Sequence, residues 1–323
     1  MRTRVANPVL RRELLERWRG RRAITVLTIY LLLLVGLLIL LRWVATSYLD
    51  DAARGGWGPP SSATGPMLGR FLLENTLAVV LGLVLFVAPG YAAAQIAGER
   101  ERRTLGLLRI TLVRPRSIVL GKLGASSAWI VLLVIASAPV AAAAFALGGV
   151  SPGDLLAGLV VILVVAVSVA AIAIGVSSRA RRTTGAVVMT YAIVLALVGG
   201  TLVAAFAEFA AADFQMDDGQ RPVSLRLNPF YALADAAGST QDFGGTGVPS
   251  VLTPFAAALP NSDTFGMAID DRGVPIEDEG WRPPGGWRDL VWPQTLAAHL
   301  LLAALALLVA TRSIGPRDGV RET

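Results

Sequence analysis

The segment GERERRTLGLLRITLVRPR, Gly98 to Arg116, carries eight charged side chains between two long apolar runs. Guanidinium and carboxylate groups interleaved with leucines are the materials of a recognition surface. Leu105, Leu108 and Leu112 fall on one helical stripe with Leu107 beside them, Glu99 and Arg103 form an i,i+4 pair, and Pro115 closes the segment. An apolar stripe bordered by arginines suits docking into a groove of a protein partner. A second interfacial helix or a simple orientation signal is the alternative.

Other chemistry is scarce. The nearest approach to a phosphate-cradling loop, RSIVLGKL, lacks both the leading glycine and the hydroxyl residue, so the chain is not expected to bind or hydrolyse nucleotide itself. Cysteine is absent, which removes disulfides and thiolate metal sites. There is no H-E-x-x-H motif, no paired intramembrane carboxylates and no nucleophile elbow. The only histidine, His299, sits in an apolar stretch, where an ionisable group is a functional candidate. A neutral imidazole hydrogen-bonded to a neighbouring helix is the structural account, and the preferred one. Glu74 and Asp154 stand at the ends of apolar runs and read as interfacial anchors.

The elements that must position these groups are apolar helices. Six stretches contain no Asp, Glu, Lys or Arg: 23–41, 75–97, 123–147, 155–178, 185–207 and 293–311. At about 1.5 Å per residue, even the shortest reaches about 28 Å, close to the hydrocarbon thickness of a bilayer. All 52 charged residues lie outside them. A charge at the centre of a span costs about 2.5–3.5 kcal/mol on insertion scales, so this segregation is what a membrane selects. The expected fold is an all-α polytopic membrane protein with six transmembrane helices.

Arginine bias sets the orientation. With the N-terminus inside, the inner segments hold 21 Lys and Arg against 8 in the outer ones. Both termini are therefore expected in the cytoplasm. The basic balance reflects orientation and attraction to anionic lipid, not nucleic-acid binding. The expected organisation is a cytoplasmic amphipathic elbow helix (1–22), a five-span region (23–207) containing the cytoplasmic loop 98–122, a large extracytoplasmic region (208–292), and a sixth span with a cytoplasmic tail (293–323). In the elbow, Asn7 caps, Pro8 takes the first helical position, and Leu10, Leu14 and Trp18 recur at helical spacing. Pro89-Gly90 and Pro139 are expected to kink or locally break their spans, for packing or as a pivot. Gly199-Gly200 permits close helix approach, between subunits or within one. In LNPFYALADA, Asn228 and Pro229 predict one short helix.

NPVLRRELLERWRGRRA resembles the N-terminal elbow of permease subunits of type-2 ATP-binding-cassette exporters. GERERRTLGLLRITLVRPRSIVLGKLGAS resembles the loop between their second and third spans. Glu101, Arg102, Thr104, Leu105, Leu107, Leu108, Thr111, Ile118, Gly121 and Lys122 stand at matching positions. Arg103, Gly106 and Leu112 depart from the usual Gly, Glu and Pro. The resemblance implies a six-span half-transporter in the plasma membrane of a bacterium. It implies pairing with a second permease copy or homologue and with two ATPase subunits that bind ATP and Mg, and a coupling helix within 98–122. No cofactor is implied for this chain. Substrate is not identified, although the Ala-, Val- and Leu-rich spans favour an apolar or amphipathic cargo. The rival expectations are a non-transporting scaffold that docks a cytosolic protein, and an ion-coupled carrier. The carrier predicts intramembrane carboxylates or a repeat between halves, and neither is visible.

Overall fold

The computed structural model describes residues 21–56, 61–103, 115–212, 222–238, 250–256 and 290–314, and among these every regular element is helical. Helices α1 (Arg21–Arg54), α2 (Ser61–Glu101), α3 (Pro115–Ala142), α4 (Pro152–Arg179) and α5 (Thr183–Ala211) precede a short α6 (Pro229–Ala236) and the final α7 (Val291–Ile314). All but α6 are long and apolar enough to cross a bilayer, which makes six candidate spans. Each uncharged stretch lies within one of them, the third continuing from α3 into a 3-10 turn at Ala143–Leu147.

The helices overshoot the stretches that marked them. The connection expected over 42–74 is largely helical, because α1 runs on to Arg54 and α2 begins at Ser61. A charge-free run marks only what hydrocarbon tolerates; helix continues past it where residues such as Ala45, Leu49 and Ala52 still find a packed face. With 41 residues, α2 is about 60 Å long, well beyond the bilayer core. Pro89 and Gly90 lie inside this uninterrupted helix, and α3 likewise passes Pro139 before changing to 3-10 geometry. Of the expected kink or local break, the break does not occur at either proline, and a bend is all that either can introduce. One proline removes one ladder hydrogen bond, and packed neighbours hold the helix on both sides of the gap.

The centre of the bundle is α4, packed against α2, α3, α5 and α7. Its inner residues Val161, Val165, Val169, Ala173 and Ile174 are fully buried. Small residues bring backbones together here: a Cβ on Gly175 would lie 2.9 Å from the Ala306 carbonyl oxygen of α7. A capping box starts α4, with Ser151 Oγ accepting from the Asp154 N–H and the Asp154 carboxylate accepting from the Ser151 N–H. By contrast, α1 and α5 are peripheral. Ile24, Leu32, Ile39 and Trp43 of α1, and Val188, Leu195, Val203 and Phe206 of α5, are exposed.

Between α5 and α7 the chain folds back into the bundle. As expected, Asn228 caps α6, its side-chain oxygen accepting from the Phe230 N–H, with Pro229 in the first turn. Tyr231, Ala232, Leu233 and Ala234 are buried against α2, α4 and α7.

Candidate functional site

At the end of α2 three consecutive side chains reach three different helices. Successive residues on a helix point about 100° apart, so neighbours in sequence can serve different partners. Glu99 Oε1 accepts from Lys122 Nζ of α3 at 2.7 Å, and the lysine is buried. Arg100 donates to the Ser178 carbonyl at 2.7 Å and to the Ala180 carbonyl, both at the C-terminal end of α4. Glu101 accepts from the Thr183 N–H at 2.9 Å and from the Thr183 hydroxyl at 2.7 Å, at the N-terminal end of α5. The signs are favourable: a cation meets the carbonyls that a helix leaves unpaired, and an anion meets its free amides. Ser177 Oγ adds a further tie by accepting from the Ile96 and Ala97 N–H groups.

Arg103 then turns the chain with φ of 57°, a left-handed conformation that is uncommon for a residue with a side chain. Of the expected coupling residues, Glu101, Arg102 and Arg103 thus stand at the exposed mouth of the loop, and Pro115 opens α3. Thr104, Leu105, Leu107, Leu108 and Leu112 lie outside the described residues, as do Asn7, Pro8, Leu10, Leu14 and Trp18 of the elbow. Sequence reasoning missed Ser178 and Thr183. The available signal was the helix-starting Thr-Thr pair in RARRTT, which needs an acceptor for its free amides.

The opposite end of α2 carries a buried charge cluster that sequence reasoning also missed. Arg70, 5% exposed, donates to Glu74 at 3.2 Å, to Asp154 at 3.3 Å and to the Ala237 carbonyl. Glu74 also accepts from the Ser250 hydroxyl, and Asn75 Oδ1 accepts from the Val251 N–H at 3.1 Å. Glu74 and Asp154 are therefore more than anchors at a membrane surface: one guanidinium joins them to each other and to the segment after α6. Gly238 has φ of 66°, and a Cβ there would lie 2.5 Å from the guanidinium. Nearby, Asp235 accepts from the N–H groups of Val291 and Trp292 at 2.7 and 2.8 Å, capping α7 from a distant element. Burial pushes its carboxyl above the ordinary 3.8, against the pull of those two N–H groups.

Between the two ends, α2 and α5 border an open apolar cleft of about 500 Å³, lined by Leu85, Phe86, Tyr191, Leu195, Val198 and Phe230. Tyr191 donates to the Phe86 carbonyl at 2.7 Å, and the two rings are 5.9 Å apart. Gly90 makes room for it, since a Cβ there would lie 3.2 Å from the Tyr191 hydroxyl. One turn of α5, Ala196–Gly200, is π-helical, and Asn228 Nδ2 donates to the Val198 carbonyl inside it at 3.0 Å. A Cβ at Gly199 or Gly200 would meet, among the described residues, only its own helix, at Leu195 and Ala196. His299 is buried, and its Nε2 lies 3.2 Å from the Leu227 carbonyl. Because a carbonyl only accepts, Nε2 carries the proton there. The described residues contain no group of three acids or histidines arranged to hold a metal.

Two comparisons bear on this arrangement. A family model described as ABC-2 family transporter protein matches residues 61–312. No curated protein matches the chain.

Proposed function

The chain belongs to the ABC-2 transporter family and is an integral membrane permease of that class, and we propose that it is the six-span half of an ATP-driven exporter. In this reading the loop 98–122 docks into separate ATPase subunits, which bind ATP and Mg and hydrolyse the nucleotide. The observation that carries the reading is the fan of Glu99, Arg100 and Glu101, which ties the mouth of the charged loop to α3, α4 and α5. A tether between two spans needs no such bracing; a loop that receives force from a partner does. The arginine bias supports a cytoplasmic position for that loop and both termini, and the expected membrane is a bacterial plasma membrane. The exposed apolar faces of α1 and α5 leave room for a second permease as well as for lipid. The apolar cleft between α2 and α5 suits an apolar or amphipathic cargo entering from the bilayer.

The test is co-purification from the native membrane, comparing the unmutated chain with Leu105→Asp/Leu108→Asp. An ATP-binding-cassette ATPase should accompany the former and be lost from the latter. If no ATPase accompanies the folded unmutated chain, the exporter reading falls and a membrane scaffold replaces it.

A further inference from the structure

The three ties at the end of α2 are mechanically unequal. Glu99 and Arg100 hold α3 and α4, and the α4 wall behind them is close-packed: Ala170, Ala173 and Ile174 are fully buried beside Ala92, Ile96 and Ala97 of α2. Close-packed interiors resist small displacements. Glu101 holds α5, whose outer face is exposed at Val188, Met189 and Leu195. Within this chain, a push on the loop mouth therefore meets least packing resistance along α5. From Thr183, α5 runs up beside α2 to Tyr191, whose hydroxyl bond to the Phe86 carbonyl is a further polar tie between these helices. The apolar cleft begins at that tie.

We propose that Glu101 is a positioning residue that carries displacement of the docking loop into α5 and so sets the width of the cleft between α2 and α5. This rests on the docking reading above and adds the route by which docking reaches the cargo path. Both Glu101 bonds are exposed, and exposed charged contacts contribute little to stability. Removing them is thus expected to leave the fold intact while cutting the link. Glu101→Gln keeps an oxygen that accepts from the Thr183 N–H, and its amide can donate to the threonine hydroxyl, so it should act as a partial rescue.

The absence of cysteine permits clean labelling. Spin labels at Gly82→Cys on α2, where an added Cβ meets nothing within 4 Å, and at Leu195→Cys on α5, both lining the cleft, would report the distance across it. The measurement uses the permease labelled first, then assembled with its ATPase subunits in lipid nanodiscs, without nucleotide and with Mg-ATP trapped by vanadate. The expected result is a nucleotide-dependent shift in the distance distribution, lost in Glu101→Ala and restored at least in part in Glu101→Gln, each read in complexes that hold the ATPase; loss of the ATPase itself from Glu101→Ala would make Glu101 a docking residue and overturn the proposal. A shift that survives in Glu101→Ala with the ATPase bound overturns the proposal and leaves the docking reading standing. So does an assembled complex with no shift at all in the Glu101 background. Failure of the ATPase to bind the unmutated chain overturns both.

Discussion

Arg70 shows why a single side chain inside an apolar helix can be worth its desolvation. Its guanidinium meets two carboxylates and a carbonyl, so the charge is both balanced and hydrogen-bonded. Removing one member of such a group leaves the others buried without balance, which costs about 3–5 kcal/mol. Arg70→Ala should therefore lower thermal stability in detergent sharply, by far more than Arg54→Ala, whose pair with Asp51 is exposed. Equal melting temperatures for the two variants would show that the cluster is not stabilising. Glu101 lies at the other extreme: exposed and weak in stability, its importance is geometric.

At the level of elements, α7 begins where Asp235 lends it a cap. That carboxylate belongs to α6, so the start of α7 depends on α6 being docked. Asp235→Ala removes the acceptor and should cost about 1 kcal/mol, while Asp235→Asn retains an oxygen in the same place and should cost much less. Both N–H groups bond to one oxygen, Oδ2, which is why the amide can substitute. The raised pKa adds a pH signature. The folded state holds the Asp235 proton more tightly than the unfolded chain does. Its contribution is fully present below the ordinary 3.8 and is lost as pH rises through the higher folded value. Relative to Asp235→Asn, the native chain should lose stability over that rise, a comparison that denaturation at several pH values checks. The prolines also belong to this scale. Pro89, expected with Gly90 to kink or locally break its span, leaves α2 unbroken, and the glycine beside it admits Tyr191 of α5, so the pair marks a helix–helix contact.

For the whole molecule, charge asymmetry and the two polar ends of α2 bear on orientation. Arg54 lies at the end of the bundle that carries Arg70, and Arg181 lies in the turn beside Glu101. With no native cysteine, Arg54→Cys and Arg181→Cys can each be probed alone by a membrane-impermeant thiol reagent. Arg54→Cys should react in intact cells and Arg181→Cys only after permeabilisation. The reverse pattern would invert the proposed topology and place the docking loop out of reach of ATP.

The number and rough position of the spans were legible in the sequence because the penalty for charge in hydrocarbon is large and purely local. The same holds for the Asn228-Pro229 helix start, which satisfies free amides within a few residues. The partners of the buried charges were not legible. Arg70 finds Asp154 across 84 residues, and Glu101 finds Thr183 across 82. Which side chains meet over such distances depends on how each helix is rotated and how far it slides past its neighbours. Packing of small residues such as Gly175 against Ala306 decides both. A nearly featureless apolar helix carries little periodicity from which to read its rotation, so only the assembled bundle shows which faces touch.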